Sequence, residues 1–202
     1  GIEGTATPIS SGIATDGPKY NYFGFMRYMN QKLYTGGGQS SPEREACIQI
    51  LDGNDWEIYD DSFAASLKGN YRSTYCIDLD PSDPTHIYAG TQAGLFEFRN
   101  GKMTQHYSID NAPFVTASDT DPYSYTLITT LKATPDGSLW CFNSNAKDCS
   151  VSLLQLKDGK WTSHHNTDFV DSKGASMRYA RSMMTDSRGL LWFVNDEWRL
   201  PA

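Results

Sequence analysis

The chain has 202 residues, a net charge of −7 and a pI near 5.0. Its acidic balance argues against nucleic acid, which needs a Lys/Arg surplus to neutralise phosphates, and against anionic membrane surfaces. No apolar run approaches the roughly 20 residues that span a bilayer, and "GIEGTATPIS" at the start has neither the basic nor the apolar character of a signal peptide. One domain with a sizeable core is the expectation. Twelve Tyr, nine Phe, five Trp and 17 Gly point to strands rather than helices.

In chain order, residues 1–20 are poor in strand formers and read as an N-terminal segment or stray outer strands. A first unit, residues 21–66, holds "MRYMNQKLYTGGG" (Met26–Gly38) and "ILDGNDWEIYD" from Ile50, each an apolar-aromatic strand beside a turn. The second unit, 67–115, reads as four strands: "TYCIDL", the turn "DPSDPT", "HIYAG", "GLFEFR" and "KMTQHYS". The third, 116–170, reads as "LITTLKA", "SLWCFN", "VSLLQLK" and "KWTSHHN". The fourth, 171–202, supplies only an opening hairpin around "DSRGLLWFVN". Amphipathic helical periodicity is absent.

These units are copies. An apolar-aromatic pair recurs as Leu33-Tyr34, Ile87-Tyr88, Leu139-Trp140 and Leu191-Trp192, at intervals of 54, 52 and 52 residues. Four short antiparallel strands repeated at this period, with no helix between, define a blade of a β-propeller. The fold class is therefore all-β: a propeller of four-stranded antiparallel blades, here about 3.5 to 4 of them. Because rings close with about four to eight blades, the expectation is part of a larger ring. Its open ends should either associate with a copy of the chain or curl into an open arc.

The pattern in "PDGSLWCFN" and "DSRGLLWFVN" resembles the two-component regulator propeller repeat. The unit "DLDPSDPTHIYAGTQAGLFEFRNGKMTQHYSIDNAP" (Asp78–Pro113) resembles blades of PorZ-type proteins, surface proteins of bacteria that use the type IX secretion system. The resemblance spans roughly residues 20 to 198. It implies a propeller exported to the periplasm or cell surface, acting as a binding or scaffold domain in protein export or surface-polysaccharide attachment. A glycan-sensing ectodomain of a hybrid two-component sensor is the alternative, and a propeller glycosidase or lyase a third reading. The resemblance brings no catalytic residues, and no cofactor is implied.

The residues themselves offer little chemistry. Asp78, Asp80 and Asp83 are close enough for a cation loop, but the segment lacks the Gly and bidentate Glu of an EF-hand and reads as turn chemistry. His106 and His164 fall at one repeat position on the outermost strand, and adjacent His164 and His165 point to opposite faces, so no metal is expected. The Asp-Gly spacings do not fit a sialidase Asp-box; Arg27, Arg72, Arg178 and Arg181 lie near inner-strand starts with no accompanying Glu. No nucleophile elbow, H-E-x-x-H or P-loop is present. Cys141 and Cys149, on two arms of one hairpin, allow a cross-strand disulfide; otherwise Cys47, Cys76, Cys141 and Cys149 are small buried hydrophobes. Tyr34, Tyr88, Trp140 and Trp192 read as core residues packed between neighbouring blades.

Function is expected in the long loops leading into each inner strand. They bring Tyr71, Arg72, Tyr75, Tyr123, Tyr125, Arg178, Tyr179 and Arg181 toward one rim. Tyr with Arg is the composition of a recognition surface. The expected partner is a protein or a glycan, in particular an anionic polysaccharide. The opposing reading is that the Tyr cap the blade cores and the Arg are solvated.

Overall fold

In a computed structural model, residues 17–40, 42–147, 153–164 and 177–195 are described. The first blade consists of β1 (Phe25–Met29), β2 (Lys32–Gly36), β5 (Ile48–Asp52) and β6 (Asp55–Ile58), with a short hairpin, β3 (Gln39–Ser40) and β4 (Glu43–Arg44), between β2 and β5. The second is β7 (Thr74–Asp80), β8 (Asp83–Thr91), β9 (Gly94–Arg99) and β10 (Lys102–Tyr107). The third is β11 (Leu127–Ala133), β12 (Leu139–Ser144), β13 (Leu153–Lys157) and β14 (Lys160–His164). A hairpin of β15 (Ala180–Thr185) and β16 (Leu191–Asn195) opens the fourth. Every pairing within a blade is antiparallel between successive strands. The one helical element among the described residues is a 3₁₀ turn, Ser62–Ser66. The architecture is the blade series that the repeat predicts.

The repeat holds at the level of register. Tyr34, Tyr88, Trp140 and Trp192 each pair with one residue of the inner strand: Arg27, Asp78, Lys132 and Met184 respectively. Side chains alternate faces along a strand, so each of these rows fronts the following blade. Ile77 and Leu79 of the second blade join Tyr34 and Ile50 of the first in one core. Leu131 and Ala133 of the third blade share a second core with Cys76 and Leu95, against which Tyr88 packs. Met183 joins Phe142 in a third, where Trp140, Leu191 and Phe193 pack. Phe96, Phe98 and Phe142 are fully buried, and each such side chain contributes about 1.5–3 kcal/mol by leaving water.

Four expectations need correction. Trp192 stands in the anchor register but is 54% exposed, because no blade among the described residues covers its face. The "DPSDPT" turn is tighter than read: β8 begins at Asp83, which pairs with Asp80 across Pro81-Ser82. His106 and His164 are not register equivalents. A bulge between Met103 and Gln105 sets His106 opposite Phe96, whereas His164 lies opposite Leu153; the residue opposite the matching Leu95 is Tyr107. His106 stacks on Phe96 at 4.2 Å and places Nε2 2.7 Å from the Ala93 carbonyl, with its pKa lowered chiefly by burial. Finally, Cys141 is a free, buried thiol; Cys149 lies outside the described residues, as does His165.

Residues 17–23 form no strand but lie on the first blade. The Tyr20 backbone N–H donates to Gln49 Oε1 at 3.0 Å, and Gln49 Nε2 donates back to the Tyr20 carbonyl at 3.1 Å. Phe23 stacks on Trp56 with centroids 6.3 Å apart. Gln49 pairs with Thr35 as Phe96 pairs with Ala89. A polar side chain at this position, 0% exposed, is satisfied by the backbone laid over it.

Candidate functional site: the mouth of the inner-strand cavity

The four inner strands begin around a cavity of about 610 Å³. Its wall includes Phe25 and Arg27 of β1, Thr74 to Ile77 of β7, Thr129 to Leu131 of β11 and Arg181 to Met183 of β15. Tyr22, Gln39, Ser73 and Tyr179 border it. Three of the inner strands break register here. The ladder skips one residue between Thr74 and Cys76 and between Ile128 and Thr130, and two between Arg181 and Met184. Each bulge leaves a residue without a cross-strand partner and re-aims the chain: Tyr75 in β7, Thr129 in β11 and the Ser182 region in β15. Ser73 and Ser182 have φ of 51° and 54°, left-handed backbone that accompanies these turns of direction.

The bulges of β11 and β15 are tied to each other. Thr129 Oγ1 lies 2.6 Å from both Ser144 Oγ and the Ala180 carbonyl, and Met183 N–H donates to Thr130 Oγ1 at 2.8 Å. Tyr75 hydrogen-bonds the Ser73 side chain; burial first, and the nearby Tyr179 second, push its hydroxyl up to about 12. It therefore stays a neutral donor at physiological pH. The Arg181 guanidinium sits 5.3 Å from the centroid of the Tyr179 ring. Below the mouth, Arg27 Nη1 is 3.4 Å from Asp78 Oδ1. Asp78, with its side chain 3% exposed, also takes Lys132 Nζ at 2.7 Å and the Ala133 N–H at 3.0 Å. Asp78 thus clamps three blades, while Asp80 and Asp83 cap turns by accepting from Ser82 and Thr85.

The predicted rim residues divide. Tyr75, Tyr179 and Arg181 line the cavity together, and Tyr125, 37% exposed, is close enough to Tyr75 to act on its ionisation. Tyr71 is not at the rim. It is 5% exposed and packs edge-on against Phe63 and Phe96, each at 5.0 Å, so it belongs to the core. Arg72 is committed to an ion pair with Glu43 and a backbone bridge to Glu45, which fasten the β3–β4 hairpin. Tyr123 lies apart, donating to Asp110 at 3.0 Å beneath Lys68, which also pairs with Asp110 at 2.7 Å. Arg178 is exposed, and its carbonyl accepts from Asn145 N–H. The residues missed are Arg27, Gln39, Thr129, Thr130 and Ser182. The hydroxyl pair inside the apolar run of β11 was the available signal, since two polar residues in a buried strand need partners.

Two Arg and no carboxylate line the cavity among the described residues, on a chain of charge −7. The wall thus sets two guanidinium groups, one of them held by Asp78, beside hydroxyl donors and aromatic faces. Such a wall can receive a carboxylate or phosphate and stack a ring. The described residues bring no cluster of three His, Cys, Asp or Glu together for a metal ion, and no described helix is long and apolar enough to cross a membrane.

The fold defines a series of β-propeller blades. No family model and no curated protein matches the chain. Among solved structures, the chain is similar to PorZ of Porphyromonas gingivalis, described as an essential bacterial surface component of the type-IX secretion system. The TM-score is 0.72 at 23% identity, over 90% of this chain and 24% of that one. It is also similar to the extracellular domain of BT4673 of B. thetaiotaomicron, assigned to a one-component system, with a TM-score of 0.56 at 16% identity over 90% and 23% of the two chains. The chain spans about a quarter of each, and the likeness is one of fold, as the sequence pattern implies.

Proposed function

We propose that this chain is a non-catalytic binding and scaffold module of a periplasmic or cell-surface protein, engaging an anionic polysaccharide or a protein, a second copy included, in export or surface-polysaccharide attachment. The observation that carries the reading is the recess that Tyr75, Tyr179 and Arg181 line together with Arg27, the Tyr-with-Arg composition of a recognition surface on a concave wall. The resemblance to a surface component of a secretion system supports the compartment. Titration calorimetry with an oligogalacturonate and a neutral oligosaccharide of equal length tests it. The acidic ligand is expected to bind and the neutral one to bind at least about tenfold more weakly, with Arg181→Ala removing most of the difference. Equal binding of both, or of neither, sinks the reading.

A second reading, a glycan-sensing ectodomain of a hybrid two-component sensor, is favoured by the likeness to the extracellular domain of a one-component system. The gene downstream of the Ala202 codon discriminates. A transmembrane helix and kinase support the sensor; a second propeller and a secretion tail support the scaffold.

A further inference from the structure

Three successive inner strands carry a charge at one register position. Arg27, Asp78 and Lys132 stand opposite Tyr34, Tyr88 and Trp140 respectively. Arg27 faces the second blade, since Tyr34 beside it packs with Ile77 and Leu79. The three charges meet at the Asp78 carboxylate. Its Oδ2 takes Lys132 Nζ at 2.7 Å and the Ala133 N–H at 3.0 Å, while its Oδ1 has Arg27 Nη1 at 3.4 Å. Asp78 is therefore neutralised and hydrogen-bonded from the third blade before Arg27 is counted. Two cations around one carboxylate leave one positive charge over.

Burial decides which member carries that charge. The side chains of Asp78, Lys132 and Arg27 are 3%, 18% and 36% exposed, and of the three Arg27 alone lines the cavity. A guanidinium has five N–H donors; this one holds Asp78 by a single long contact, so most of its fork remains for a ligand. We infer that Arg27 is a ligand-binding cation of the recess, and that Lys132, acting through Asp78, is the positioning residue that keeps its charge available. An acidic ligand paired with Arg27 leaves Asp78 to Lys132 and the Ala133 N–H, so no buried carboxylate is stranded. Such a ligand competes with the tie between the first and second blades and spares the tie between the second and third. With Lys132 removed, Asp78 turns to Arg27 as its one cation, and the recess loses charge through a residue outside its wall. The inference rests on the reading of the recess as the site of an acidic ligand.

The experiment is titration calorimetry of the whole 202-residue chain with an oligogalacturonate, each variant being checked by circular dichroism for unchanged strand content. Arg27→Gln is expected to weaken binding about fivefold, and Arg27→Lys less, because lysine keeps the charge and loses the fork. Lys132→Gln keeps Arg27 and the Ala133 N–H on Asp78, so it should fold. It is expected to weaken binding about threefold although Lys132 does not line the cavity. Lys132→Arg should restore the parent affinity. Lys157→Gln removes the same unit of charge from an exposed pair with Asp136 and should leave binding unchanged. Parent-like binding by Arg27→Gln or by Lys132→Gln overturns the inference and leaves the acidic-ligand reading standing. So does Lys132→Arg binding no better than Lys132→Gln, or an equal loss in Lys157→Gln, which would make overall charge the cause. An oligogalacturonate that does not bind the parent ends that reading and the inference with it.

Discussion

At the scale of the residue, the turns at Thr134–Ser138 and Asp186–Leu190 show how different letters make one structure. Both close with the first residue's N–H donating to the fifth carbonyl, at 2.8 and 3.0 Å, and both place Gly at φ 79°. Thr134 therefore corresponds to Asp186, and Asp136 is an addition; that is why the Asp-Gly spacings differ in sequence. Asp136 is drawn well below the usual carboxylate range, chiefly by Lys157, then by Thr134 and Ser138. Its folded pKa is below its unfolded one, near 3.9, so its contribution is present above that pH and lost as pH falls through the folded value. Asp136→Asn is expected to lower stability at pH 7 by less than about 1 kcal/mol, because the Lys157 pair is exposed. The difference should close toward pH 2, as thermal melts across pH would read. Gly137→Ala should cost about 1 kcal/mol for a left-handed alanine, measured by chemical denaturation.

At the scale of the element, close approach of blades decides more than strand propensity. A Cβ on Gly90 would meet the Ile128 carbonyl at 2.5 Å and Cys76 Sγ at 2.6 Å, so β8 and β11 touch through a missing side chain. Gly90→Val is expected to cost about 2–3 kcal/mol, well above Gly137→Ala, by overpacking. Asp78→Asn leaves the Lys132 and Arg27 cations without their buried carboxylate and should cost about 3 kcal/mol. Lys132→Met should cost less, since Arg27 and the Ala133 N–H still serve Asp78. Equilibrium urea unfolding of the three variants gives the order. Strand boundaries such as Gly94–Arg99 and Leu127–Ala133 were legible from alternation and turn residues. The bulges were not, because a skipped ladder partner leaves the local pattern of apolar residues intact. Asp78 likewise looked like turn chemistry, since its two cations lie 51 and 54 residues away in sequence.

At the scale of the whole molecule, the blades bury their thiols as thoroughly as their aromatics. Cys141 is fully enclosed and Cys76, at the edge of the cavity, is buried to 7% exposure in the core shared by the second and third blades, and burial pushes both well above the ordinary thiol range. Cys47 rises to about 11 for the same reason. Site-resolved thiol labelling should find these three cysteines unreactive in the native protein and reactive in denaturant; rapid native labelling of Cys76 or Cys141 would contradict the stacked arrangement. The period of the repeat revealed the stack of blades seen among the described residues because each copy carries its own anchor pair. It did not reveal which rim residues share a space. Convergence depends on how inner strands meet across blades, and this separates Tyr75 from Tyr71, only four positions earlier, by placing one in the recess and the other in the core.

The register breaks in β7 and β11 have a consequence for how such a protein can change. A side chain at Tyr75 has no rung of the ladder to keep and meets the third blade only at the edge of the shared core, where it is partly buried. Its identity can drift while the sheet that holds it stays fixed. Descendants of one scaffold could thus acquire new ligand preferences by altering a handful of unpaired positions, leaving the load borne by the aromatic stack untouched.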